Sequence, residues 1–177
     1  MIGGSFFQQK PNEKIVFSLR RNWFTFFKVA AFHVFLALIP LVLYSIFKED
    51  FTKLFKGALL GPVIKLGVSI YYLSIWLFFF VNFVDYYLDI WIVTTERIVN
   101  IEQKGLFART VSELKLYSIQ DVTSEIQGII PTLLHFGNVY VQTAAETERF
   151  VFKNIADPPI IAKRIIDLSE KAKLEKR

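Results

Sequence analysis

The amino-acid sequence predicts a membrane-anchored α+β chain: two transmembrane helices, then an antiparallel β-sandwich or small barrel, capped by a C-terminal α-helix. Three observations lead there. Two runs of 19 residues, Val29 to Phe47 and Leu66 to Val84, contain no formally charged side chain. After Asp85 the apolar period shortens to two, the alternation of half-buried strands. Asp157-Pro158-Pro159 then opens a stretch with helical spacing.

At ~1.5 Å per residue, each charge-free run covers roughly 28 Å as a helix, close to the ~30 Å hydrocarbon core of a bilayer. A soluble core helix rarely needs to be apolar on every side for five turns. The composition agrees, with 53% hydrophobic and 16% aromatic residues among 177 and a mean hydropathy of +0.39. Once two spans and their flanks are set aside, about 90 residues remain, enough for one small domain. Cysteine is absent, which excludes disulfides, thiolate metal sites and a cysteine nucleophile.

The net charge of +5 divides unevenly. Residues 1–28 hold five basic side chains against Glu13, and residues 48–65 hold four lysines against Glu49 and Asp50. Residues 85–162 carry six basic and ten acidic groups, whereas residues 163–177 carry six and three. The positive charge therefore flanks the spans and the C-terminus. A nucleic-acid-binding domain needs a basic face, so nucleic acid is excluded as a partner.

Residues 1–22 read as a cytoplasmic N-terminal segment. They are no signal peptide, because the apolar run starts late and no small-residue cleavage site follows it. Ile15-Val16-Phe17 reads as a short strand. Trp23, Phe24, Phe26 and Phe27 gather at the start of the first span, predicted over residues 23–47, where aromatic rings suit the headgroup layer. Pro40 falls inside that helix, and membrane helices tolerate such a kink. His33 is the only side chain in the run that ionises near neutral pH. It reads either as a proton relay or ligand inside the membrane or as a neutral histidine near the interface, bonded to a neighbouring backbone or side chain; with no second intramembrane acid or base beside it, the neutral reading is preferred. Asn82, near the end of the second span, either bonds across to the first helix or sits at the interface.

The linker, residues 48–65, predicts a short amphipathic helix lying in the interface. Phe51, Leu54, Phe55, Ala58 and Leu59 share one face, Lys53, Lys56 and Gly57 the other, and Gly61-Pro62 ends it. The second span is predicted over residues 66–86. Two spans place both termini on one side, and the basic count favours the cytoplasm, so the chain reads as a multi-pass protein of the inner cell membrane.

Residues 87–170 form the predicted domain. Strands are expected at 88–93, 97–102, 111–116, 119–127, 138–143 and 149–153, with a helical turn from Gly128 through Leu134 and a polar hairpin around Ala145-Glu146-Thr147. Asp157 is the expected N-cap of the last helix and Pro158 its first residue. Ile161, Ile165 and Leu168 provide its apolar stripe. From Glu170 the chain is expected to fray, and residues 171–177 are a basic tail.

The order of elements resembles the bacterial pleckstrin-homology-like, membrane-flanked proteins. The resemblance spans roughly Leu88 to Leu168. It is carried by Thr94-Thr-Glu-Arg97-Ile98, Gly105-Leu-Phe-Ala-Arg109, Leu116-Tyr-Ser-Ile119-Gln-Asp121-Val122, Phe136-Gly137-Asn-Val139-Tyr-Val141-Gln-Thr143 and Ile155-Ala-Asp157-Pro158. Each piece is short and mostly hydrophobic, so the weight rests on their order and spacing. The resemblance implies two nearly orthogonal sheets, commonly of seven strands, closed by the C-terminal helix. Six strands are visible, and the seventh comes either from Lys14 to Leu19 or from a different split near Tyr86. It also implies relatives linked to envelope stress, or to export and resistance with membrane partners.

The motif residues Thr94, Arg97, Gly105, Asp121, Gly137, Asp157 and Pro158 read as structural. Gly105 and Gly137 would permit turns with positive φ, and Arg97 with Asp121 would tie two strands together. An enzyme is not expected. The domain has a single histidine, His135, and the sequence lacks the nucleophile, phosphate-loop and zinc motifs. No cofactor or metal is implied. Lipid-headgroup recognition would draw on Arg97, Lys104 and Arg109, with Lys115 nearby, but acids intersperse them. The preferred reading is a protein-binding scaffold, serving membrane or cytoplasmic proteins or a second copy of itself. An accessory subunit of a transporter is the variant.

Overall fold

The computed structural model describes residues 10, 13–57, 60–143 and 150–175. The chain divides into two compact units, Trp23–Tyr86 and Met1–Asn22 with Tyr87–Arg177. The expected hairpin around Ala145-Glu146-Thr147 and residues Ala58 and Leu59 lie outside the described residues.

The first unit is helical: α1 (Trp23–Ile46), α2 (Lys48–Lys56) and α3 (Leu60–Leu88). α1 and α3 are long and apolar enough to cross a membrane. Phe35, Leu73, Trp76 and Phe78 are all exposed, an outer surface that water would not stabilise. Rings join the two helices, with Phe26 against Phe79, Phe83 and Tyr86. Pro40 lies inside α1 and has no N–H, so the Leu36 carbonyl one turn earlier lacks its helical donor. The Tyr71 hydroxyl of α3 donates to that carbonyl at 2.7 Å, and Tyr72 donates to Ala37 at 3.1 Å. Asn82 does not bridge the helices. Its amide donates to Phe78 of its own helix at 2.7 Å.

Three helix boundaries differ from expectation. One is the end of α3, which runs to Leu88, two residues past the predicted span, so that the strand expected from 88 starts only at Ile90. α3 starts six residues before Leu66, and Gly61-Pro62 lies in its first turn rather than ending α2. Proline is tolerated there because the first N–H groups of a helix have no intrahelical acceptor. α2 ends at Lys56.

Among the described residues the second unit holds seven strands. β1 (Ile15–Arg20), β2 (Ile90–Thr94), β3 (Arg97–Lys104) and β4 (Ala108–Lys115) form one antiparallel sheet in that order. β5 (Ile119–Glu125), β6 (Phe136–Thr143) and β7 (Phe150–Ala156) form the other. α4 (Ile129–Leu133) joins β5 to β6, and α5 (Pro158–Glu175) closes the chain. This is an α+β fold of apolar helices, antiparallel sheets and a C-terminal helix. The seventh strand is β1, from ahead of the helices. Its Arg20 pairs with Ile90, so the whole helical unit is an insertion between two hydrogen-bonded strands.

Alternation sorts the side chains. Trp91, Val93, Ile98 and Leu114 turn to the core shared with Val139, Val141, Phe152, Ile155 and α5 residues Ile161 and Ile165. Ile92, Val99 and Ile101 form a smaller cluster of their own. α5 does not fray at Glu170. It continues to Glu175 because Ala172 packs on the core and the Lys173 ammonium donates to the Ile119 carbonyl at 2.6 Å.

Candidate functional site

The densest ionic construction lies at the end of the first sheet carrying the β2–β3 turn. Thr94 closes β2, and its hydroxyl accepts from the Arg97 and Glu96 N–H groups at 3.0 and 3.2 Å. That hydroxyl is 2.7 Å from Glu13 Oε1 and 2.8 Å from the Arg97 carbonyl, either of which takes its single proton. The Arg97 guanidinium grips Glu13 with two bonds, Nε to Oε1 at 2.9 Å and a terminal nitrogen to Oε2 at 3.0 Å. Its other terminal nitrogen reaches Glu113 on β4 at 2.6 Å. Glu13 is only 2% exposed and also accepts from the Lys10 N–H at 3.0 Å. Burial of this kind is tolerated because every carboxylate oxygen has a donor.

Glu13 is the residue that sequence reasoning missed. One signal pointed to it: it is the sole acid among residues 1–28, two positions before the strand. Burial by itself pushes its carboxyl up. The bonds from Arg97, Lys10 and Thr94, together with the Arg97 charge, outweigh burial and hold its pKa below the ordinary 4.5. The hydrogen bond to Glu13 raises the pKa of Arg97 against burial, and Glu113 adds to it. Because the folded-state pKa of Glu13 is depressed, its contribution to stability is complete above about pH 4.5 and is lost as pH falls through the folded value. The stability gap between wild type and Glu13→Gln is therefore expected to be constant from pH 5 to 7 and to shrink below pH 4.5. Urea titrations across that range, followed by Trp91 fluorescence with Trp23 and Trp76 replaced by Phe, check it, and a gap that persists at pH 3 would refute it.

Beside this cluster opens a cleft of about 430 Å³, lined by Lys10, Glu96, Arg97, Glu113, Lys115 and Tyr117, with Ala172 and Glu175 of α5. The Lys115 ammonium stands over the Tyr117 ring at 5.8 Å. Charges of both signs share the rim, so the cleft complements a mixed-charge segment better than a polyanion.

Of the lipid candidates, Lys104 and Arg109 share the β3–β4 hairpin end, and Arg97 lies apart from them. Arg97 is buried and paired, whereas Lys104 ends β3 seven residues away, roughly 23 Å along a strand. Arg109 donates to Gln103 at 3.1 Å, and Gln103 in turn donates to the Gly105 carbonyl at 2.7 Å. Nor do Arg97 and Asp121 pair. Asp121 lies on β5 in the other sheet, where it accepts from Thr123 at 3.1 Å. Gly105 takes the positive φ expected of it, 68°. Gly137 does not; it is required because a Cβ there would collide with the Glu125 carbonyl oxygen. Asp157 holds φ at 46°, and its carbonyl, rather than its side chain, meets the Ile160 and Ile161 N–H groups ahead of Pro158. His135 is an exposed turn residue whose carbonyl accepts from Asp157 at 2.8 Å. Among the described residues no cluster of acids and histidines has the makings of a metal site.

In the helical unit, an apolar groove of about 610 Å³ is lined by Lys28, Phe32, His33, Tyr71, Phe78 and Asn82, among others. His33 is buried with Nδ1 2.8 Å from the Val29 carbonyl, the backbone-bonded arrangement.

No family model and no curated protein matches the chain. Among solved structures it is similar to a DUF1696 family protein with a pleckstrin-homology domain from Shewanella loihica PV-4. That protein is 16% identical with a TM-score of 0.38, over 46% of this chain and 70% of the other. A likeness of that size carries no argument about activity.

Proposed function

We propose that the chain is a non-enzymatic protein of the inner membrane, anchored by α1 and α3 with both termini cytoplasmic. Its pleckstrin-homology-like unit serves as a docking module for another protein. The anchor reading is supported by two long helices that are apolar all round. The pleckstrin-homology-like reading is supported by the motif order, together with four- and three-stranded antiparallel sheets followed by a helix.

The observation that carries the docking reading is the free edge of β4. Among the described residues β4 has β3 as its only strand neighbour, so one side of its backbone is open to an added strand. Glu113 and Lys115 lead that edge into the mixed-charge cleft. Such charges suppress indiscriminate edge pairing and select a partner of matching pattern. A phosphorylated headgroup would meet Glu96, Glu113 and Glu175 there, which disfavours it. A membrane tether also raises the effective concentration of the module for a membrane-bound partner.

Photo-crosslinkers at Thr110 and Ser112 of the full-length protein in its native membrane test this. The expected result is one adduct of defined mass from both positions, lost when Lys115→Glu reverses the rim charge. Adducts with lipid alone, or a protein adduct indifferent to Lys115→Glu, would refute it.

A further inference from the structure

We infer that the end of the strand-bearing unit from which the helices depart is itself a bilayer-docking surface, with the Leu106-Phe107 turn and helix α4 inserted into the interfacial layer. The inference rests on the membrane-anchor reading above and concerns only how the second unit meets lipid.

That end is defined by strand register. Arg20 pairs with Ile90, and Ile90 pairs with Ile101. β3 runs three residues past that level to Lys104, and the Gln103 N–H is held by Asp89 Oδ1 at 2.7 Å. The β3–β4 turn therefore projects beyond the sheet on the side where the chain leaves β1 and returns to β2. The second sheet shares this end. The Asn22 N–H donates to the Asn154 carbonyl at 2.7 Å, and the Asn154 N–H donates to Asn138 Oδ1 at 2.9 Å. α4 directly precedes β6, whose Phe136 pairs with Ala156 at the same end.

Both projections are apolar. Phe107, Ile129 and Leu133 are 99%, 89% and 75% exposed, the most exposed large apolar side chains among the described residues of this unit. Three such side chains on two separate tips at one end exceed the scattered exposure of an ordinary soluble surface. The chain dictates what they meet. Arg21 and Asn22 alone join β1 to α1, and Asp89 alone joins α3 to β2. On chain length, this end is no more than about 7 Å of extended backbone from a span. Lys104 and Arg109 flank the Phe107 tip at the height of lipid phosphates, while Glu102 and Glu125 keep the end near neutral. Apolar insertion rather than net charge would hold it. The ionic cleft belongs to the opposite end and is left facing water.

The absence of cysteine makes single labels unambiguous. Phe107→Cys, Leu133→Cys, Gln120→Cys and Leu73→Cys in the full chain would each carry an environment-sensitive fluorophore. The proteins would be reconstituted in phosphatidylcholine vesicles and in vesicles that also contain phosphatidylglycerol, each with or without nitroxide-bearing lipid. Labels at 107 and 133 are expected to be quenched by the nitroxide lipid, protected from aqueous iodide and indifferent to high salt. The label at 120, at the far end of β5, should show the reverse, and the label at 73 should report lipid. If 73 reports lipid while 107 or 133 reports water, docking is overturned and the anchor stands. If 73 reports water, both fall. Quenching at 107 and 133 that requires anionic lipid would also overturn the inference, in favour of charge-driven headgroup recognition.

Discussion

Arg97→Ala is expected to destabilise the strand-bearing unit by about 3–5 kcal/mol, the cost of leaving a buried charge without its partner. Glu13 is the charge left behind, with a side chain wholly shielded from solvent and two guanidinium bonds to lose. Glu113 suffers less, because its side chain is half exposed and water replaces the lost donor. Arg97→Lys should recover only part of the loss, since an ammonium cannot span both Glu13 oxygens as the planar fork does. Urea unfolding in detergent, read by Trp91 fluorescence with Trp23 and Trp76 replaced by Phe, measures both variants. A loss below about 1 kcal/mol for Arg97→Ala, the range of an exposed ion pair, would show that the cluster is a surface ornament. The variant also weakens the attachment of β1, because Glu13 precedes that strand and Lys14 bonds Thr95 from it.

Gly137→Ala is expected to cost about 2–3 kcal/mol, as overpacking against unyielding backbone does. The added Cβ would collide with the Glu125 carbonyl oxygen and press on Ile126 Cγ1 at 3.1 Å. Neither neighbour yields easily, since Glu125 is fixed in register with Asn138. Gly105→Ala provides the control. Gly105 has a φ of 68° with no heavy atom within 4 Å of an added Cβ, so only the conformational cost of about 1 kcal/mol applies. Equal losses in the two variants would disprove close approach as the reason for Gly137.

These results bear on function because they separate the residues that hold the unit together from those free to bind. Arg97 belongs with the first group: its guanidinium is spent on Glu13 and Glu113. Lys115, on the same rim and exposed, belongs with the second. Binding tests aimed at Arg97 would report unfolding and binding together, whereas Lys115→Glu leaves the cluster intact.

Local pattern by itself determined the inventory of elements. The charge-free runs marked α1 and α3, period-two alternation marked six strands, and Asp157-Pro158 marked the start of α5. Such signals live within one turn or one strand, where neighbouring residues share an environment. Only the tertiary structure decided which element meets which. A period of two says that Ile15-Val16-Phe17 can be a strand but not that it lies beside β2, across an inserted helical unit. Likewise, a proline in α1 predicts an unpaired carbonyl without saying that Tyr71 of α3 supplies the donor. Arg97, expected to tie two strands through Asp121, is tied instead to Glu13, which arrives from 84 positions away. Phe107 and Leu133, unremarkable among so many apolar residues, stand out only once the sheets set them at one end. Each of these depends on closing a long loop of chain, and residues far apart in sequence carry no local trace of the neighbour they will meet.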